Sequence, residues 1–369
     1  MFVFRIICAL LLLSTSCIYA QINTLTNAAH NLDRRGLSLS LDASIDAFLG
    51  RDLGHAAQTV PAFIDLGTTA LLDRFLPALK GTVAFASLHL NQSATDGFSS
   101  LLQPVSSLQA DSGVFLAELW FEQAIRPAIH VRAGKLDANR DFAYVENGVS
   151  FLNAAAGYTP SFITLPNYND TRPGVELLIH PNKFHLNFAA FAPIEGTGLL
   201  LMQEAGTGWN PQGWNGRLSA GFWRMTGSMP TLDGLDRKGS DGVYVVAEQK
   251  FWRHMRNGGA EEQSLAAYLQ WGKSERNFSS MPQQTAIGLL WSAPFRSRTG
   301  DSAGFSCSRG DTLDYTGKEV VWESFYRLRT SKTLAFTPDF QYIAESPGYR
   351  GPTYAVGARI AISLRSGAE

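Results

Sequence analysis

Cysteine is nearly absent from this chain. Only three of its 369 residues are cysteine, and two of them, Cys8 and Cys17, lie within the first 20 residues. If that stretch is removed, Cys307 alone remains, and no disulfide framework can form within the chain. Buried surface and backbone hydrogen bonds must then hold the fold together.

Long apolar runs and strong net charge are also missing. A transmembrane helix needs about 18 or more consecutive apolar residues, and no stretch after residue 20 reaches that length. The formal net charge is −1, which is far from the basic balance of a nucleic-acid-binding surface. We therefore predict neither a membrane-spanning helix nor a nucleic-acid partner.

The motifs of common enzymes do not occur either. The sequence contains no HExxH, no G-x-S-x-G and no phosphate-cradling glycine loop. Its seven histidines are scattered without metal-ligand spacing. We predict that the protein is not an enzyme and uses no cofactor or metal.

The first 20 residues have the composition of a secretory signal peptide. Arg5 is the only charge, an apolar run follows from Ile6 to Leu13, and Ile18-Tyr19-Ala20 fits a small-residue cleavage site. A buried first helix is the alternative interpretation. The export signal predicts that residues 1–20 are removed and that residues 21–369 form a single domain.

What the remaining sequence has in abundance is strand-like alternation. From Leu37 to Leu49 the odd positions are apolar and the even positions are polar, with Phe48 as the exception. Globular strands are commonly about 5–6 residues long, whereas a tilted membrane strand needs about 9–11. The length of this stretch favours a strand that crosses a membrane.

A second stretch predicts a hairpin with one aromatic face and one charged face. Before the turn at Thr330-Ser331-Lys332, the side that carries Trp322 and Tyr326 is apolar, and the other side carries Glu323, Arg327 and Arg329. After the turn, Phe336, Phe340 and Tyr342 continue the apolar side. In a soluble sandwich this face would point inward, but in a membrane barrel it faces lipid.

The connections between the predicted strands have two lengths. Residues 181–183 and 330–332 form tight turns, whereas 136–174, 192–214 and 293–318 are long and rich in Gly, Pro, Asn and Asp. We predict an all-β fold, a transmembrane antiparallel β-barrel with short periplasmic turns and long extracellular loops. About fourteen strands can be counted, and weak alternation makes that number a minimum. Cys307 is expected to be an exposed thiol within the loop 293–318.

Three stretches resemble the OprB-type carbohydrate-selective porins. They are Leu32-Asp-Arg-Arg-Gly36, the central Arg132-Ala-Gly-Lys-Leu-Asp-Ala-Asn139-Arg-Asp-Phe142, and Glu323-Ser-Phe-Tyr326 with Thr337-Pro-Asp-Phe-Gln-Tyr342. The resemblance implies about sixteen strands, a monomeric barrel, inward-folded loops and an outer-membrane location in a Gram-negative bacterium. It also implies passive or facilitated diffusion of small neutral sugars, such as glucose-like sugars.

A channel for sugars needs planar donors, acceptors and aromatic surfaces on its wall. A sugar is uncharged, bears many hydroxyl groups and is apolar on its ring faces, and Arg donates while Asp and Glu accept. Generic polar wall residues are the alternative interpretation. The candidate channel-lining residues are Glu118, Trp120, Glu122, His130, Arg132, Lys135, Asp137, Asn139, Asp141, Glu323, Arg327, Arg329 and Asp339.

The segment after Arg132 is expected to fold into the bore. At 136–174 it is too long for an ordinary connection, and its charged residues have both signs. A loop that only covers the mouth is the alternative. Two other functions stay open at this point: an outer-membrane barrel enzyme of the lipase kind, and a soluble secreted β-sandwich lectin or adhesin.

Overall fold

The chain folds into antiparallel β-strands joined in one closed sheet. The computed structural model describes residues 32–93, 97–159, 161–162, 164–168, 170–256, 261–312, 317–345, 351 and 353–366. The predicted signal peptide, residues 1–20, lies outside the described residues. Among the described residues, no helix is long and apolar enough to cross a membrane.

Sixteen strands are numbered in chain order, and the second consists of two segments. They are β1 Leu37–Asp52, β2 His55–Thr59 with Ala62–Leu71, β3 Thr82–Gln92, β4 Gly113–Arg126, β5 Ile129–Leu136, β6 Arg172–Ile179, β7 Phe184–Phe191, β8 Leu200–Trp209, β9 Gly216–Pro230, β10 Asp236–Arg256, β11 Glu261–Ser274, β12 Gln283–Ser292, β13 Ser302–Asp311, β14 Lys318–Arg329, β15 Leu334–Glu345 and β16 Thr353–Arg365.

The sheet closes because β1 pairs with both β16 and β2. Pro61 divides β2, since proline has no N–H for the ladder. The two segments nevertheless keep one register against β1, with Phe48 opposite Thr59 and Ile45 opposite Ala62. The Pro61 carbonyl accepts a hydrogen bond of 3.0 Å from the Asp46 N–H. The predicted barrel of about sixteen strands is confirmed.

Alternation along the strands separates an apolar outside from a polar inside. Leu41 lies opposite Leu364 on one side and Leu66 on the other, and the row continues through Leu88 and Leu116. Leu66, Leu88 and Leu116 are all exposed on the outside. Five leucines in one row form an apolar surface suited to contact with a lipid bilayer. Closure of the sheet also leaves no unpaired backbone edge that would be exposed to lipid.

The connections are longer at one end of the barrel than at the other. At the end where β1 begins, turns such as 127–128, 180–183 and 330–333 are short, as predicted for the periplasmic side. At the opposite, extracellular end, two long segments join β3 to β4 and β5 to β6. The parts of these segments that the structure describes fold into the barrel.

The prediction of a loop at 293–318 is wrong, because this segment contains the whole of β13. Phe305 and Arg309 are exposed on the outside of this strand, and Cys307 lies between them on the same side, half-buried. The thiol is therefore part of the barrel wall rather than of a loop. Its neighbours Ser306 and Ser308, together with Gly304 and Gly310, gave no apolar alternation from which a strand could be recognised.

Alternation in β4 is interrupted by a β-bulge. The register against β3 shifts between Ser87 and Leu88, so that Ala117 has no partner. Ala117 is fully buried and Leu116 is exposed, whereas unbroken alternation from the inward-facing Glu118 and Trp120 would place Leu116 inside and Ala117 outside. A bulge inserts one residue and exchanges the two faces beyond it.

Candidate functional site

The segment between β5 and β6 crosses the interior of the barrel. Its backbone N–H groups donate to three glutamates whose side chains point inward from β8, β10 and β14. Glu204 accepts from Ala143 at 2.9 Å, Glu248 accepts from Asn147 at 2.7 Å, and Glu323 accepts from Leu152 at 2.6 Å. The infolding expected from the sequence is present in the described part of the segment.

The segment between β3 and β4 folds inward as well. Glu319 of β14 accepts hydrogen bonds from the N–H groups of Leu102 at 2.9 Å and Gln103 at 2.7 Å. The two infolded segments also bind each other, since the Ser107 N–H donates to the Leu152 carbonyl at 2.7 Å. Buried loop backbone needs hydrogen-bond partners, and the wall carboxylates provide them.

These segments fill one side of the barrel more than the other. Inward-facing residues of β8 to β11, such as Met202, Tyr244 and Tyr268, are buried. Phe162 of the longer segment stacks on Trp223 of β9 with ring centroids 4.8 Å apart. On β1 and β2, the inward-facing residues Ser44, Asp65 and Thr69 are only half-buried, whereas Phe48 and Thr59, nearer the extracellular end, are buried. The open part of the bore therefore includes the periplasmic half of the β1 and β2 wall.

Arg132 forms the centre of a charged cluster on β4, β5 and β6. Its guanidinium lies 2.7 Å from a Glu122 oxygen and 3.0 Å from a Glu176 oxygen, and it also pairs with Asp141 at the start of the infolded segment. His130 extends the cluster, with Nδ1 3.0 Å from Glu122. One buried cation thus holds three carboxylates from two strands and a loop.

An aromatic pair with an arginine above it lies beside this cluster. Trp120 stacks on Phe85 with ring centroids 5.1 Å apart. The Arg140 guanidinium lies 5.1 Å from the Phe85 ring and 5.3 Å from the Trp120 ring, and it also pairs with Glu118. Trp120 Nε1 donates to Glu118 at 3.0 Å. Flat apolar surface and fixed donors, the groups that a sugar needs, therefore lie together.

Asp137 begins the infolded segment and fixes its first turn. The carboxylate accepts hydrogen bonds from the N–H groups of Asn139 at 2.8 Å and Tyr168 at 3.3 Å. The Asn139 amide in turn donates to the Phe142 carbonyl at 3.2 Å. Burial, reinforced by the neighbouring Glu118, raises the pKa of Asp137 to about 6.

The remaining candidate residues do not join this cluster. Glu323 and Asp339 are buried on the β14 and β15 wall, where Asp339 accepts from Gln341 at 3.0 Å. Arg327 and Arg329 are exposed toward the periplasmic end, and the Arg329 guanidinium donates to the Lys332 carbonyl at 3.0 Å.

Lys135 has a different position from the one expected at the lumen wall. It lies opposite Leu119, whose side chain is exposed on the outside of the barrel. Its ammonium group donates to the Leu116 carbonyl. The side chain therefore lies on the outward face of β5, because the strand continues to Leu136 and alternation holds to its end.

Several residues of the site were not predicted from the sequence. Glu176 and Glu248 alternate with apolar residues in β6 and β10, and this alternation is a signal from which their inward orientation can be predicted. Glu204 lies in β8, inside the segment 192–214; the prediction of a loop there is wrong, because β8 occupies Leu200–Trp209. Glu319 precedes the part of β14 in which the sequence alternates clearly. In the described part of the chain, no group of three or more His, Cys, Asp or Glu side chains is arranged to hold a metal ion.

Comparison with known proteins decides which family this barrel represents. A model of the OprB family, described as carbohydrate-selective porins, matches residues 83–364. The chain belongs to the OprB family. No curated protein matches it in sequence.

Solved porin structures share the fold of this OprB-family chain at low sequence identity. The high-pH structure of Pseudomonas putida OprB has a TM-score of 0.80 at 15% identity, covering 90% of this chain and 96% of that chain. A Salmonella typhi OmpF complex with daunomycin has a TM-score of 0.58 at 11% identity, covering 90% and 99%. A triple mutant of the Rhodopseudomonas blastica porin has a TM-score of 0.52 at 14% identity, covering 89% and 100%.

Family membership and fold together give the function of this porin in general terms. It is an outer-membrane channel for carbohydrates, built as a transmembrane β-barrel. Proteins of this family are channels rather than enzymes, which excludes the lipase-like alternative at the level of the family. The closed barrel with its leucine-rich exterior excludes the soluble sandwich.

Proposed function

We propose that this porin conducts small neutral, glucose-like sugars by passive diffusion through a bore narrowed by its own loops. The observation that carries this proposal is the anchoring of the segment between β5 and β6 on Glu204, Glu248 and Glu323. Those anchors hold the segment inside the barrel, so that a solute must pass beside it and then along the periplasmic half of the β1 and β2 wall.

The chemistry of the narrow region suits an uncharged solute with many hydroxyl groups. Carboxylates and guanidinium groups pair directly on the β4 to β6 wall, and this pairing leaves no wide region of one sign to favour ions of the other sign. We propose that Glu118, Trp120, Glu122, His130, Arg132, Asp137, Asn139 and Asp141 shape this region, with Glu323 and Asp339 on the far wall. Arg327 and Arg329 would line the periplasmic exit.

The remaining features of the proposal concern the state of the protein in the cell. We propose export by the segment 1–20 into the envelope of a Gram-negative bacterium, followed by insertion as a single monomeric barrel. A monomer is sufficient because the infolded segments of one chain complete its own constriction, and the outward leucine row needs only lipid. Sedimentation of the detergent-solubilised porin measures this state, and a trimer would contradict it.

Liposome swelling tests the proposed selectivity. Proteoliposomes are placed in isotonic glucose, a disaccharide or a charged solute of the size of glucose. We expect rapid swelling in glucose, slower swelling in the disaccharide and the slowest in the charged solute. Equal swelling rates in glucose and in the charged solute would contradict a bore suited to neutral sugars.

A further inference from the structure

The outer surface of the barrel has a groove across β12 and β13. Its lining residues form three directly opposed pairs in the sheet, Gln283 with Asp311, Thr285 with Arg309, and Ile287 with Cys307. The groove holds about 390 Å³, within the range of about 300–1,000 Å³ that is typical of small-molecule sites. Because it faces away from the interior of the barrel, lipid or another molecule must fill it.

Two tryptophans border this groove, one on each side. Trp271 of β11 lies opposite Thr285, and Trp322 of β14 lies opposite Cys307. Thr285 and Cys307 are much smaller than these neighbours, so the surface is lower between them. Trp322 also packs against Phe305, with ring centroids 5.7 Å apart. Tryptophan is enriched at the boundary between acyl chains and headgroups, and its presence on both sides places the groove at such a boundary.

The direction of the strands identifies this boundary as the extracellular one. β14 ends at the periplasmic turn 330–333, so the antiparallel β13 ends, and β12 begins, at the extracellular end. Toward the periplasm, the outward residues of β12 change from the polar Thr285 to the apolar Ile287, and those of β13 change from Arg309 to Phe305. The groove therefore extends from the headgroup level to the acyl-chain level of the outer leaflet.

Cations surround the polar end of the groove. The exposed Arg309 donates from Nε and Nη2 to Asp311 at 3.1 and 2.9 Å, and a guanidinium has five N–H donors, so donors remain for another anion. Lys273 extends this end on β11, and Lys318 lies opposite Asp311 and pairs with Glu345 at 2.9 Å. These positions carry three cations and two carboxylates, an excess that suits a negatively charged headgroup.

We propose that the groove binds one molecule of an anionic lipid from the outer leaflet, with its phosphate on Arg309 and Lys273 and an acyl chain beside Ile287 and Cys307. Arginine binds phosphate through paired N–H donors, and the apolar half of the groove takes the chain. A lipid has both parts in one molecule and is present at this face of the barrel. The binding is independent of the solute that passes through the bore.

Lipid titration of the detergent-solubilised porin, read by native mass spectrometry, tests the site. Phosphatidylglycerol has an anionic headgroup, whereas phosphatidylcholine has the same phosphate with a balancing cation. We expect one phosphatidylglycerol to bind more tightly than phosphatidylcholine. Arg309→Gln should weaken phosphatidylglycerol binding about fivefold. The matched control is Arg224→Gln, which removes an exposed, outward-facing cation from β9, two strands away from the groove, and should leave binding unchanged.

The apolar half of the groove is tested by filling it. Cys307→Phe leaves the charge unchanged and should weaken the binding of both lipids. Glycerol phosphate, which has the headgroup without acyl chains, should not displace phosphatidylglycerol, and displacement would reduce the site to an anion site and overturn the lipid. Heat-modified migration confirms that each barrel is folded. Arg309→Gln changes an exposed side chain, so it decides the question even if Cys307→Phe does not fold.

Two results would overturn the proposal. One is equal affinity for phosphatidylglycerol in wild type, Arg309→Gln and Arg224→Gln. The other is a dimer in the mass spectrum that Cys307→Phe abolishes, because the groove would then be an interface between two copies of the chain. Glucose entry into proteoliposomes should be the same for Arg309→Gln and wild type, since the groove lies outside the bore.

Discussion

Arg132 is the single residue on which the charge balance of the β4 to β6 wall depends. Its guanidinium is buried among Glu122, Asp141 and Glu176. Replacing a buried partner leaves uncompensated charge and costs about 3–5 kcal/mol. We predict that Arg132→Met lowers the temperature at which the folded barrel unfolds, measured as the loss of the faster-migrating form in a detergent gel.

A second substitution identifies the cause of that loss. Arg132→Met leaves three carboxylates without their cationic partner. Adding Glu176→Gln removes the charge of one of them and should restore part of the stability. If the double variant is no more stable than Arg132→Met alone, the charge imbalance is not what destabilises the wall.

Asp137 gives the porin a pH-dependent contribution to stability. Its pKa is about 6 in the folded barrel against an ordinary value of 3.8, so the unfolded chain ionises first. The stability that Asp137 contributes is fully present below the ordinary pKa, and it is lost as pH rises through about 6. We predict that Asp137→Asn raises the unfolding temperature more at pH 7.5 than at pH 4. An equal effect at the two pH values would contradict the raised pKa.

The orientation of β1 can be tested with two adjacent residues. Leu41 lies in the outward row of leucines, and Ser40 faces the interior. An arginine exposed to lipid near the midplane costs about 2–4 kcal/mol, so Leu41→Arg should reduce the fraction of barrel that folds in lipid vesicles. Ser40→Arg, exposed to channel water, should fold normally. The opposite order of sensitivity would reverse the assignment of the two faces.

At the level of elements, the infolded segment between β5 and β6 depends on wall glutamates for its position. Glu323 accepts the N–H groups of both Leu152 and Asn153. We predict that Glu323→Leu loosens the segment and increases the fluctuation of the open-channel current, whereas Glu323→Gln, which keeps one acceptor oxygen, has a smaller effect. Identical current noise in the two variants and wild type would show that this anchor does not hold the segment.

Elements with clear alternation could be predicted from the sequence, and the others could not. The stretch 37–49 and the hairpin around 330–332 are recognisable because apolar and polar residues alternate with few exceptions, such as Phe48. Glycine and serine hid β13, and the bulge at Ala117 reversed the faces beyond it, since one inserted residue exchanges inside and outside. The missing strand and the reversed faces both result from local features, strand composition and a β-bulge, that the period of apolar residues does not reveal.

The binding site was less predictable than the barrel for a related reason. Glu118, Trp120, Glu122 and Arg132 were found from their position in strands. The partners of these residues come from distant parts of the chain, such as Arg140 over Trp120 and Tyr168 over Phe63. Such contacts depend on the path of the infolded segment, which no pattern in its own sequence describes.

At the scale of the whole molecule, the strands form the wall of the barrel, and the infolded segments determine how much of its interior is open. Sixteen paired strands fix the diameter, while two infolded segments occupy part of the interior and narrow the bore. We propose that the infolded segments, rather than the barrel wall, determine selectivity. The size of the pore can then change without any change in strand number.

Single-channel recording of a variant that lacks Tyr144 to Asn169 tests most directly whether the infolded segment narrows the bore. Heat-modified migration first confirms that the shortened barrel is folded. We expect a higher conductance than wild type and weaker discrimination between glucose and larger sugars. Unchanged conductance and an unchanged ranking of sugars in the folded variant would contradict this expectation.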